Sequence, residues 1–239
     1  MVHINEFSLL RGSPIQISSA CVVRQPTLGE IANRGYDAYK TYLSILMMEK
    51  ESLFQNLGVP MDESVDGYTV YDIMGAIPDL REVLIEALSF FIYGYVSWNG
   101  SHFLIKGTEL TAEDLDDVKA AIMKISYIEK DTESQHIFSS EKARKIWEKC
   151  QKGKEALRKA NKTDENLELP NLVGALAASR NGNYNILNIW DLTVYQLYDQ
   201  FARTNVGVQM DIYASRWAAW GKDDFDVSMW FKNISKKEG

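Results

Sequence analysis

The residues best placed by type and spacing to do chemistry are Asp62, Ser64, Asp66 and Gly67, which copy the first half of an EF-hand loop. There, alternating side-chain oxygens hold calcium and the glycine permits a sharp turn. The twelfth position is Ile73, where a bidentate glutamate is needed, so the segment reads as a solvated acidic loop. His3, His102 and His136 are far apart and show neither HxxxH nor HExxH spacing, so no zinc site is expected from them. No GxSxG elbow, GxxxxGK[ST] loop or GxGxxG turn occurs, and Gly153-Lys154 lacks the upstream glycine of a phosphate cradle. Cys21 and Cys150 belong to no CxxC and read as buried thiols. An acidic chain holds many carboxylate pairs, and only their separation in the fold identifies a catalytic one. The expectation is no catalytic residue, no metal and no cofactor.

Binding chemistry is richer. Lys142, Arg144, Lys145, Lys149, Lys152, Lys154, Arg158 and Lys159 would face outward on one helix, but Glu141, Glu148 and Glu155 interleave and no aromatic stacking partners alternate with them. With a net charge of −7 and a pI near 5.1, a solvated helix face fits better than a nucleic-acid site. Four of the six tryptophans fall between Trp190 and Phe231, among tyrosines at helical spacing. Aromatics so spaced usually fill a core, yet a short module hides only so many large rings. Trp190, Tyr195, Tyr198, Trp217, Trp220, Trp230 and Phe231 are therefore the candidate partner-binding residues.

The elements that must position these residues read as mainly helical. Ile15-Gln16-Ile17 and Cys21-Val22-Val23 form a short N-terminal β element. Thr27-Leu28-Gly29-Glu30 is a capping box, and Leu28, Ile31, Tyr39, Tyr42 and Leu46 make one buried helical stripe, with Gly35 giving a neighbour close approach. Gly58 to Gly67 is a loop, and Asp79 to Glu82 is a second cap, ahead of Leu80, Leu84, Ala87, Leu88 and Phe91. Asn99-Gly100 predicts a type I′ hairpin near 95–106. Thr111 to Asp114 caps a helix that buries Leu115, Val118, Ile122 and Ile125. A further helix begins near Ser139 or Ser140 and ends near Asn161. Asp191 or Thr193 caps a helix carrying Tyr195, Tyr198, Phe201 and Ala202; a second follows with Met210, Tyr213, Trp217 and Trp220, and Gly221 ends it. The fold class is α+β, a helical bundle-like core with a short β element and one hairpin. The expected domains are 1–162, a linker at 163–170, and an aromatic-rich helical module at 171–239.

No apolar run approaches the ~20 residues of a membrane span, and Met1 to Glu6 shows no basic region followed by an apolar one. A soluble, unexported protein is expected, so the acceptor sequons at Asn99, Asn161 and Asn233 carry little weight.

Leu9 to Ile15, Arg24 to Ile31 and Tyr39 to Leu46 resemble a group of small proteins encoded in bacteriophage and prophage tail gene clusters. Trp190 to Phe201 is similar to a segment of the same group, ahead of a tail resembling Ser215 to Phe231. The resemblance implies a non-enzymatic tail or baseplate assembly chaperone in the host cytoplasm, with tail or baseplate proteins as partners and no nucleic acid or membrane. The alternative it leaves is a permanent subunit of the virion, and an enzyme of unrecognised class comes third.

Overall fold

Several helix starts among the described residues are fixed by local hydrogen-bond chemistry. Thr27 accepts from the Glu30 amide while Glu30 reaches back to the Thr27 amide, and Thr111 with Asp114 does the same. Thr69 and Asp72 form a third such box, at a helix start the sequence reading had not marked. Each box satisfies amides that the first turn would otherwise leave without partners.

The computed structural model describes residues 4–57, 67–128, 168–179, 183–221, 226 and 228. Its helices are α1 (Glu6–Arg11), α2 (Leu28–Arg34), α3 (Tyr36–Leu46), α4 (Lys50–Leu57), α5 (Val70–Ala76), α6 (Pro78–Phe91), α7 (Ala112–Ile125), α8 (Leu169–Ala177) and α9 (Val194–Trp220). Two antiparallel sheets accompany them: β1 (Ile15–Gln16) with β2 (Val22–Val23), and the meander β3 (Val96–Trp98), β4 (Phe103–Ile105), β5 (Thr108–Glu109). The protein is mainly helical with a small β component, as expected. The described residues fall into two compact units: those within Met1–Glu129 and Asn188–Asp199, and those within Lys130–Leu187 and Gln200–Gly239.

In the first unit α3 packs on α6. Leu84, Ala87, Leu88 and Phe91 are buried, and Tyr39 meets Phe91 at 6.1 Å between ring centroids. Each fully buried Leu or Phe contributes about 2 kcal/mol from apolar surface removed from water. Cys21 is buried in the same unit. Burial, assisted by the Asp114 charge, pushes its thiol from 9.0 up to about 12. Residues 22–24 also pair with 91–93, where Arg24 donates to the Phe91 carbonyl at 2.7 Å and Tyr93 to that of Val22 at 2.9 Å. This splice joins the N-terminal β element to the end of α6.

Four local expectations need correction. Gly35 gives no neighbour close approach, since a Cβ there would meet nothing within 4 Å. Its φ of 99° instead breaks the stripe into α2 and α3. Pro78, not Asp79, opens α6, and Leu80 is only partly buried. Asn99-Gly100 makes no two-residue turn. Trp98 pairs with Phe103, and Asn99 Oδ1 accepts from the Ser101 and His102 amides at 2.9 and 2.8 Å, closing a four-residue loop. The two-residue turn with two positive φ angles lies at Lys106-Gly107, 51° and 85°, and it adds β5. Finally, the two C-terminal helices are one, α9, of 27 residues. Periodicity runs through Thr204 to Gly207 without proline or cap, so nothing there stops the helix.

Candidate functional site

α9 begins at Thr193, whose hydroxyl accepts from the Gln196 amide at 3.3 Å while Gln196 Oε1 accepts from the Thr193 amide at 2.8 Å. The same Gln196 uses its Nε2 to donate to the Leu10 carbonyl at 2.7 Å. Thr193 bridges Thr27, and the Leu28 amide donates to the Leu192 carbonyl at 2.8 Å. Trp190, in the short 3-10 turn Ile189–Asp191, lies on Gly29, where a Cβ would come within 3.3 Å of the Trp190 carbonyl oxygen. The segments 9–31 and 190–197 are thus one knot of the first unit.

The first turns of α9 continue into that unit's core. Tyr195 is 3% exposed. Tyr127 stacks on Tyr198 with centroids 4.8 Å apart and planes 3° apart, and meets Tyr195 at 5.8 Å. The Tyr39 hydroxyl donates to the Ser126 hydroxyl at 3.1 Å in the interior. Burial raises the hydroxyl pKa of both Tyr39 and Tyr198.

The part of α9 in the second unit presents its side chains differently. Trp217 and Trp220 are 53% and 69% exposed, and Tyr213 is exposed beside them. At 3.6 residues per turn these three share an arc of roughly 60°. Val208, Asp211, Ile212, Ser215 and Ala219 lie on a second face, roughly 150° round the helix, and Arg216 lies between the two faces beside Trp220. With Ser179 and Trp220 they line an open groove of about 730 Å³. The sequence reading missed this face because it followed the aromatic stripe alone, although Val208, Ile212, Ser215 and Ala219 repeat at four, three and four.

Of the seven candidate partner-binding residues, Trp190, Tyr195 and Tyr198 belong to the first unit, and Trp217 and Trp220 to the second. Tyr195 is a core residue, which removes it from any contact surface. Trp230 and Phe231 lie outside the described residues, as do Asp62 to Asp66, Cys150 and the basic Lys142 to Lys159 segment.

The first unit also has a cleft of about 220 Å³ among Tyr71, Asp72, Trp98, His102, Phe103 and Glu109. His102 Nδ1 stands 3.2 Å from Glu109 Oε1, a pair that forms across the β-meander and had no signature in the sequence. Among the described residues no group of three or more His, Cys, Asp and Glu could hold a metal ion. No helix among them is long and apolar enough to cross a membrane.

Residues 159–235 match the family model described as the YomV second domain, YomV being a Bacillus prophage-region protein. The match spans all of α8 and α9. No curated protein and no solved structure matches the chain.

Proposed function

We propose that this chain is a non-enzymatic morphogenesis protein of a phage tail or baseplate, acting by protein–protein contact in the host cytoplasm as an assembly chaperone. The observation that carries the reading is the exposed aromatic face of α9, Tyr213 with Trp217 and Trp220. Large rings of this kind concentrate binding energy when a partner buries them, and a cluster of them exposed to water is costly unless used. In this role the face covers apolar surface on a tail protein before it polymerises. Trp217 and Trp220 are the anchors. Trp190 is exposed over Gly29 within the first unit, and Tyr198 holds the start of α9 through its stack on Tyr127. The resemblance of the N-terminal blocks and of Trp190 to Phe201 to tail-cluster proteins supports the setting. So does the match of residues 159–235 to a domain of a prophage-region protein. The net charge of −7 favours protein over nucleic acid as the partner.

The test is a pull-down of the tagged full chain from phage-producing cells, with mass spectrometry of the eluate and of purified virions. An identified tail or baseplate protein in the eluate, with this chain missing from virions, is the expected result. The chain in virions would replace the chaperone by a structural subunit, and no tail protein in the eluate and no chain in virions would overturn both. Trp217→Ala and Trp220→Ala should lose the partner while circular dichroism stays unchanged; retained binding would remove the aromatic face from the reading.

A further inference from the structure

The cleft of about 220 Å³ in the first unit is lined by no residue of α9 and carries chemistry of its own. Its aromatic wall is held from several sides. Trp98 tilts against Phe103 with ring centroids 4.7 Å apart, and the Arg81 guanidinium, outside the lining, stands 5.7 Å from the Trp98 ring centroid. Arg81 also donates to the Gly75 carbonyl at 3.0 Å. A Cβ at Gly75 would come within 2.5 Å of the indole, so a glycine is what lets Trp98 lie this close.

The buried part of the lining is Phe103, Leu110 and Leu115 with Tyr71. Tyr71 is 4% exposed, and its hydroxyl has no hydrogen-bond partner among the described residues. A buried hydroxyl left unpaired costs free energy that a guest supplying the partner recovers. Burial, with the Asp116 and Glu49 charges, raises the pKa of this hydroxyl, so it keeps its proton and acts as a donor. The exposed part of the lining is acidic. Asp72 gives Oδ2 to its capping box with Thr69, and Glu109 gives Oε1 to His102, which leaves Asp72 Oδ1 and Glu109 Oε2 to accept from a guest. A bare metal ion does not suit them, since among the described residues no three His, Cys, Asp or Glu converge.

We propose that this cleft binds a small organic cation, a short aliphatic amine with an uncharged oxygen at its far end. The oxygen accepts from Tyr71, the aliphatic stem lies against Trp98, Phe103 and Leu115, and the ammonium donates to Glu109 and Asp72. Charge selects the amine, and the single buried donor selects the oxygen. A second ammonium in place of that oxygen would be buried without the acceptors it needs.

Titration of the full chain, followed by the NMR shift of the Trp98 indole N–H, tests the proposal. The probes are aminobutanol, butylamine, butanediol and hydroxybutyrate, each linear and substituted only at its chain ends. Aminobutanol has both groups, butylamine lacks the oxygen, butanediol lacks the charge, and hydroxybutyrate reverses it. Aminobutanol should bind most tightly, with butylamine about fivefold weaker and butanediol about threefold weaker. Hydroxybutyrate should not bind. Tyr71→Phe should abolish the preference for aminobutanol over butylamine, and Glu109→Gln should shrink the preference over butanediol, as should added salt. Tyr71→Phe loses only a hydroxyl that is unpaired in the free protein, so the thermal midpoint should not fall. No saturable shift with aminobutanol, equal affinity for butanediol, or a Tyr71→Phe chain that still tells aminobutanol from butylamine overturns the proposal. Tail-protein capture by the aromatic face is read separately through Trp217→Ala, so failure of one claim leaves the other standing.

Discussion

Tyr195 and Trp217 sit on the same helix, at the same kind of spacing, among the same residue types, yet one is 3% and the other 53% exposed. The difference comes from what surrounds each end. Around Tyr195 the chain supplies Tyr127, the Thr27 to Leu28 edge and a carbonyl from α1, so the rings there complete a core. Around Trp217 the helix turns its residues outward from Asp211 to Trp220, with Ala214 alone partly covered. Aromatic periodicity therefore identifies a helix and a sticky face but leaves open whether its own chain covers that face.

The contrast can be broken most directly at its buried end. Tyr195→Ala should cost about 3 kcal/mol, the scale of a large ring removed from a core, measured by denaturant unfolding. A loss as small as that of an exposed substitution would erase the distinction. Alkaline pH probes the same unit. The Cys21 thiol is raised from 9.0 to about 12 by burial, so its contribution to stability is complete below pH 9.0 and is lost progressively as pH rises from there towards about 12. The thermal midpoint should fall through that window and fall less in Cys21→Ala; equal falls would show that the tyrosines alone are responsible. Thr193→Ala removes the cap at the junction of core and helix and should cost about 1 kcal/mol. Thr193→Ser should restore most of it. At the exposed end, Trp217→Ala should change stability by less than about 0.5 kcal/mol. A larger loss would mean that the ring works in the fold.

What the sequence made legible was local. Thr27-x-x-Glu30 and Thr111-x-x-Asp114 could be read directly because a capping box is complete within four residues. The stripe Leu84, Ala87, Leu88 and Phe91 was equally plain, since one helix period defines it. Thr69-x-x-Asp72 was passed over because it follows an acidic loop and opens a helix of only 7 residues. Asn99 misled because its side chain accepts from the Ser101 and His102 amides while its own amide donates to the His102 carbonyl, so Asn99 opens a wider loop instead of taking the first central place of a two-residue turn. The division into units had no such signature. Residues 188–199 cluster with the N-terminal part through hydrogen bonds from Gln196 and Leu28, and no pattern within 188–199 announces partners so distant. At the candidate site the aromatic stripe was visible as spacing, whereas its exposure required the fold.

The Gln196 to Leu10 hydrogen bond has a consequence in time. Its two residues are 186 positions apart in the chain. At a ribosomal pace of about 5–20 residues per second, roughly ten to forty seconds separate the synthesis of Leu10 from that of Gln196. Through that interval α1 and the Thr27 edge have no Thr193 or Leu192 to close on. The N-terminal unit thus finishes folding only after Gln196 has been made, and a chain truncated before residue 188 should emerge as an incomplete core, prone to aggregation and proteolysis.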